Sequence, residues 1–112
     1  MPSCMYEAPF RLVAADVSRL YDCISLVYEK LCSNSTCASS GGAGWIVSSH
    51  NSCLVVIMPP RPVAASLQAL PASYESNVLI ECKESSDVVS VVKLLETVIS
   101  TCKGVGLAPR ER

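Results

Sequence analysis

Apolar residues recur every three or four positions in two segments of the chain, the spacing of one face of an α-helix. The first repeat follows Asp16 and ends near Cys32. Asp16 suits a helix N-cap, because its carboxylate can accept hydrogen bonds from the free N–H groups of the first turn. The second repeat begins after a cap at Ser86 or Asp87 and ends before Gly104. The repeating positions are Val17, Leu20, Ile24, Val27 and Leu31, then Val88, Val92, Leu95, Ile99 and Cys102.

Between these helices the pattern changes to β-rich runs that are bounded by turn residues. Two runs, residues 44–49 and 52–58, are joined through His50 and Asn51, and residues 76–82 form a third. Asn and His tolerate the left-handed backbone of tight hairpins, so we expect a hairpin there. The second run is apolar at every position from Cys53 to Met58, so we expect both of its faces to be covered.

Together these elements predict an α+β fold with two main helices packed on one face of a small antiparallel sheet of three to four strands. The order is (β)-α-β-β-β-α, in which residues 10–15 are either an opening strand or the lead-in to the first helix. Residues 63–70 favour a short additional helix. The element order resembles that of roadblock and longin domains and of the Alu-binding proteins of the signal recognition particle. The acidic balance argues against the RNA-binding group.

The 112 residues supply one hydrophobic core and therefore one domain. We expect a flexible N-terminus over residues 1–9, a single α+β domain over residues 10–103 and a frayed tail over residues 104–112. Within the domain, small polar residues and glycines at 33–44 predict a flexible loop, because they bury too little apolar area to hold a fixed packing.

The composition favours association with another protein. Half of the residues are apolar and 17% are charged, which is more apolar sequence than so short a chain easily hides. The net charge of −1 provides no basic footprint, so we expect no nucleic-acid partner. The longest apolar run falls far short of the roughly 20 residues of a membrane span, so we expect no membrane insertion.

Seven cysteines are spread along the chain without a C-x-x-C pair. Most of them fall within apolar helical or strand segments, where cysteine in a reducing compartment behaves as a small hydrophobe. The N-terminus lacks a basic start followed by an apolar stretch, so we expect no secretory signal. We therefore predict a cytoplasmic or nuclear protein, with a disulfide framework as the alternative.

The single histidine, His50, lies three positions before Cys53, which suggests catalysis, metal binding or a plain turn. A catalytic pair needs a third group to orient the imidazole, and the nearest acidic residues along the chain are Glu29 and Glu75. Structural zinc takes four ligands. The zinc set would be Cys32, Cys37, His50 and Cys53. We favour the turn, with a zinc-stabilised module as the alternative and a cysteine-dependent enzyme as a weaker one.

The sequence contains no recognisable catalytic set or cofactor motif, so we predict no enzyme and no cofactor. We expect a non-catalytic protein-interaction subunit, scaffold or adaptor of a larger intracellular complex, which pairs as a hetero- or homodimer. The contact would be a sheet edge or an apolar strand and helix surface. The predicted interaction residues are Trp45, Ile46, Val47, Leu54, Val55, Val56 and Ile57.

Overall fold

The computed structural model describes residues 5–33, 36–39, 44–50, 52–64 and 71–109. Within these residues the elements follow the order β-α-β-β-β-β-β-α-β. The helices are α1, Val17–Cys32, and α2, Ser85–Ile99. The strands are β1, Tyr6–Ala14; β2, Thr36–Ser39; β3, Trp45–His50; β4, Cys53–Ile57; β5, Arg61–Ala64; β6, Pro71–Cys82; and β7, Val105–Pro109.

All seven strands belong to one antiparallel sheet with the order β2-β3-β4-β6-β1-β7. β6 is the longest strand and pairs with β1 along one side. Along its other side it pairs with β4 over its C-terminal half and with β5 over its N-terminal half. The sequence-based prediction of a small sheet of three to four strands is therefore wrong.

Three short strands account for the difference. β2 lies within residues 33–44, which we predicted to be a flexible loop, and β7 lies within the predicted tail, 104–112. β5 includes the first residues of the predicted short helix, and the remainder of that helix, 65–70, lies outside the described residues. Within the described residues, each of the three strands pairs with one neighbour. Pairing with that neighbour, rather than the propensity of the short segment itself, holds each in the sheet.

The first predicted helix is confirmed. The backbone N–H of Ser18 donates to the carboxylate of Asp16 at 2.9 Å, which completes the N-cap of α1. The second helix begins earlier than predicted, since its N-cap residue is Glu84, which makes no side-chain capping hydrogen bond. Neither α1 nor α2 is long and apolar enough to cross a membrane.

Both helices pack on one face of the sheet, which we call the covered face. They contact β1, β3, β6 and β7. Alternate strand residues point to opposite faces of a sheet, so the buried positions identify this one. Its fully or nearly fully buried strand residues are Leu12, Ala14, Val47, Cys53, Val55, Ile57, Ser76, Val78, Ile80 and Cys82.

Three disulfides lie on the covered side, so the prediction of reduced cysteines that act as small hydrophobes is wrong. One disulfide ties α1 to the segment after α2, one ties the end of α1 to β2, and one joins directly opposed residues of β4 and β6. The pairs are Cys23–Cys102, Cys32–Cys37 and Cys53–Cys82. Cys4 lies outside the described residues.

Candidate protein-interaction surface

The structure divides the seven predicted interaction residues between the two faces of the sheet. All of them lie on β3 and β4, where successive side chains alternate between faces. On the covered face lie Val47, Val55 and Ile57, which are fully buried. On the opposite face, which we call the open face, lie Ile46, Leu54 and Val56.

Trp45 belongs to the covered side. Its side chain is half-buried, and its ring meets Tyr21 of α1 edge-on with 6.2 Å between the ring centroids. Aromatic pairs favour this arrangement, because the electropositive ring edge then contacts the electronegative ring face. Trp45 therefore holds β3 to α1 and leaves the open face to its neighbour Ile46.

An apolar row crosses the open face at one level of five neighbouring strands. The backbone pairing places Ala38 opposite Ile46, Ile46 opposite Val56, Val56 opposite Leu79, and Leu79 opposite Pro9. Directly opposed residues of antiparallel strands point to the same face. Since adjacent strands are spaced by 4.7–4.9 Å, the row is about 20 Å long.

Several large hydrophobic side chains are exposed on the open face, within this row or at other levels of the strands. Among the residues that the structure describes, those on the open face lie within strands or directly beside them and follow its alternation: Met5, Ile46, Met58 and Val63. The exposed ones elsewhere are Tyr6, Tyr21 and Val89. Ile46 is 47% exposed and Met58 is 48% exposed. Apolar surface that is gathered in this way is typical of an interaction site.

On one side of the apolar row, along the strands, the open face is acidic. Glu7 of β1 lies directly opposite Glu81 of β6. Like charges that oppose each other across two strands destabilise a sheet. Lys83, which follows β6, continues the alternation beyond Glu81 and is exposed. We call these three residues the acidic end; they carry one negative charge in excess.

On the other side of the row, two arginines converge on one carboxylate. Glu75 of β6 is only 8% exposed, and Arg61 of β5 donates to its Oε1 from Nε at 2.9 Å and from a second guanidinium nitrogen. Arg11 of β1 approaches Oε2 at 3.5 Å. We call these three residues the basic end; they carry one positive charge in excess. A buried carboxylate requires such pairing.

Arg11 keeps donor capacity that Glu75 does not use. Its contact with Glu75 is long, whereas Arg61 makes the shorter bonds. The Nε of Arg11 is buried and has no hydrogen-bond partner within the described part of the chain. The Arg11 side chain is nevertheless 41% exposed. A guanidinium has five N–H donors, so Arg11 can bind a further carboxylate that arrives from outside.

The predicted hairpin at His50 is confirmed. β3 ends at His50, β4 begins at Cys53 and the two strands pair antiparallel. Ser52 has a φ of 59°, which is the left-handed backbone of a tight hairpin, and Asn51 lies outside the described residues. The side chain of His50 also lies outside them.

The alternative zinc set, Cys32, Cys37, His50 and Cys53, does not come together as free thiolates. Cys32 and Cys37 form a disulfide with each other, and Cys53 forms one with Cys82. The thiolate is both the zinc ligand and the nucleophile, and a disulfide sulfur is not a thiolate. The same bond removes Cys53 as the nucleophile of the cysteine-enzyme alternative.

Sequence reasoning missed three members of the apolar row: Ala38, Leu79 and Pro9. They come from three strands other than β3 and β4, and only the register of the sheet brings them into line. Alternation within β4 separates Leu54 and Val56 from its buried residues, but that signal is hidden because both sets are apolar.

No protein-family model matches the sequence, and no curated protein was found to be related to it. Solved structures match this chain, among them two enzymes. One is an amidase of the hydantoinase/carbamoylase family from Burkholderia phymatum, with a TM-score of 0.58 and 10% identity over 96% of this chain. The other is a dinuclear metal-binding peptidase of the M20 family from Bacillus subtilis, with a TM-score of 0.46 and 9% identity over 94% of this chain.

The chain spans 28% of the amidase and 26% of the peptidase. At 10% identity the similarity to the amidase shows the fold alone, and the peptidase, with its lower TM-score, adds nothing to that. The similarity concerns part of each larger protein, so neither activity passes to this chain.

Proposed function

We propose that this chain is a non-catalytic protein-interaction subunit that binds a protein partner through the open face of its sheet. The observation that carries the proposal is the apolar row, which no helix covers within the described residues. The row is central, and charged groups flank it at the acidic and basic ends. Protein interfaces have the same anatomy, an apolar centre with a polar rim.

The open face supports this role better than the sheet edges do. The outermost strands, β2 and β7, have four and five residues. β7 also ends with Pro109, which has no N–H to offer an added strand. Short edges that carry proline resist the addition of another strand.

The cytoplasmic or nuclear location remains a prediction, and the disulfides weigh against it. The structure pairs six of the seven cysteines. Structural disulfides persist in oxidising compartments and are rare in the cytosol and the nucleus. The proposal for the open face does not depend on the compartment, because the apolar row contains no cysteine.

The proposal is tested by recovering the tagged chain from its native source and measuring the stoichiometry of what comes with it. We expect a protein partner near one-to-one, and we expect Ile46→Asp to lose it, because the charge would enter the apolar row. Ile46 is half exposed, so the variant should fold, as near-UV circular dichroism can verify. Val89→Asp is the matched control, since Val89 is 52% exposed on α2, and it should keep the partner.

Two results would contradict the proposal. The wild-type chain could return without a stoichiometric protein partner, a second copy included. Alternatively, Ile46→Asp could retain the partner as fully as Val89→Asp does, which would place the contact away from the open face.

A further inference from the structure

We infer that the partner on the open face is a second copy of this chain, packed face to face about a two-fold axis that runs parallel to the apolar row. The inference rests on the proposed function, since it names the occupant of the same surface. Two sheets that pack in this way lie about 10 Å apart with interdigitated side chains. Each copy would then supply the cover that the apolar row of the other copy lacks.

The axis determines which residues of the two copies lie opposite each other. It places each residue of the apolar row over the same residue of the other copy, and it reverses the direction of the strands. A residue that lies two positions before the row on a strand is therefore placed over the residue two positions after the row on the same strand of the other copy. The surface is consequently self-complementary only if these two residues match.

They match on β1. Glu7 and Arg11 lie two positions to either side of Pro9, so Glu7 of each copy meets Arg11 of the other. This contact forms twice in the dimer. It brings a cation to Glu7, which already faces the like charge of Glu81 across the strands, and it supplies a carboxylate to the exposed part of the Arg11 guanidinium.

The facing residues also match on β6 and β4, the next two strands of the row after β1. On β4 and the residue after it, Leu54 and Met58 lie two positions to either side of Val56, so an apolar side chain meets an apolar one. On β6, Glu81 and Asn77 flank Leu79 in the same way, so a carboxylate meets an amide that can donate to it.

The charges of the acidic and basic ends determine the direction of the two-fold axis. The acidic end has one negative charge in excess, and the basic end has one positive charge in excess. A two-fold axis parallel to the strands through β4 would place the acidic end over β2 and β3 of the other copy and leave it without an opposite charge, whereas the axis parallel to the row stacks acidic on basic. Juxtaposed like charges oppose docking and complementary ones set the register.

The size of the face predicts a dimer that dissociates on dilution. The row is about 20 Å long, and the five residues from Glu7 to Arg11 cover about 14 Å along the strands at about 3.4 Å per residue. A flat face of these dimensions has about 280 Å² per copy, so the pair falls below the roughly 1,200 Å² in total at which stable specific interfaces begin and belongs with weak, transient ones.

The test measures the dissociation constant of the oxidised full chain by sedimentation equilibrium, for the wild type and for charge reversals. We expect Glu7→Arg and Arg11→Glu each to weaken self-association about tenfold or more. An equimolar mixture of the two variants should restore it, because in the mixed dimer Arg at position 7 of one copy faces Glu at position 11 of the other. Lys93→Glu on exposed α2 is the control and should leave the dissociation constant unchanged.

Glu7→Arg removes a like-charge pair within the chain, so its loss of dimer cannot be ascribed to unfolding. Restoration in the mixture supports the inference; a dimer that ignores both reversals overturns it. So does a wild-type chain that stays monomeric up to about 500 µM, far above the dissociation constants of specific complexes. In that case the recovery experiment with Ile46→Asp still tests the proposed function separately. If that variant loses a protein partner other than a second copy, the open face remains an interaction site.

Discussion

The two faces of the sheet are built from the same strands and largely the same residue types, yet they differ in every other respect. Val55 and Val56 are neighbours on β4; Val55 is fully buried under the helices, whereas Val56 is partly exposed on the open face. The covered face carries all three disulfides, and the open face carries the charged clusters. An apolar residue in a strand can therefore serve folding or association, and the packing of the helices determines which.

The largest expected difference between the faces is in the response to the same substitution at neighbouring positions. Val55→Asp places a carboxylate without a partner under the helices, and we expect it to lower the free energy of unfolding by at least about 3 kcal/mol. Val56→Asp should lower it by less than about 1 kcal/mol in the monomer, because its side chain reaches solvent. Urea unfolding of both variants at low protein concentration measures the two losses.

Self-association, in contrast to folding, should be sensitive to the substitution on the open face. Val56→Asp should weaken self-association, since the charge lies in the apolar row, even though the monomer remains folded. Losses of equal size in the two unfolding experiments would erase the distinction between the faces.

The next largest expected effect is the loss of stability when a disulfide is removed. It tests whether the covered side holds the fold together. Closing a loop restricts the unfolded chain more when the loop is longer. The loops have sequence separations of 79, 29 and 5 residues for Cys23–Cys102, Cys53–Cys82 and Cys32–Cys37. We expect replacement of each pair by serine to cost about 4, 3 to 4 and 2 kcal/mol in that order.

Urea midpoints of the three double variants rank the losses, and alkylation under denaturing conditions without reductant should modify at most one of the seven cysteines of the wild type. The variants that remain folded should keep the wild-type dissociation constant, because all the bridges lie away from the open face. A chain from its native source in which all seven cysteines are alkylated would show that the bridges do not form there.

The smallest expected effect concerns the N-terminus of α1, one of the two helices that pack on the covered face. The hydroxyl and the backbone N–H of Ser18 donate to Asp16 and lower the pKa of that carboxyl from its ordinary value of 3.8. A carboxyl whose pKa is lower in the folded state stabilises it above the unfolded pKa and loses that contribution as the pH falls through the folded pKa.

The melting temperature of the wild type should therefore fall slightly more steeply below about pH 4 than that of Asp16→Asn, which caps a helix without titrating. The other carboxyls are common to both chains, so the difference between the two pH profiles isolates Asp16. Identical profiles would mean that the cap adds no pH-dependent stability.

What could be predicted from the sequence was local. The repeat from Val17 to Leu31 with its cap at Asp16 predicts α1 correctly, because periodicity and capping are properties of neighbouring residues. The same holds for the β3–β4 hairpin around Ser52. β7 was missed because Gly106 and Pro109 are poor strand residues, and only the adjacent β1 keeps them extended.

The candidate site was only half visible because it depends on long-range register. Ile46 and Val56 were found in their own strands, but Leu79 joins them only after β6 pairs with β4. The disulfides are of the same kind, since spacing along the chain does not determine which cysteines pair. Cys23 meets Cys102 because α1 and the end of α2 lie side by side.

The position of β6 in the sheet has a consequence for how the chain folds during synthesis. Ala14 pairs with Tyr74 and Tyr6 with Cys82, so the partners of β1 are separated from it by more than half of the chain. β1 and β4 leave the ribosome before β6, so β1 has no strand partner and β4 has only β3 until β6 emerges between them. Such distant pairings close slowly, because a long loop must be ordered before any contact compensates for it. A nascent chain stopped short of β6 would retain α1 and a lone hairpin, and would be a substrate for chaperones rather than a domain.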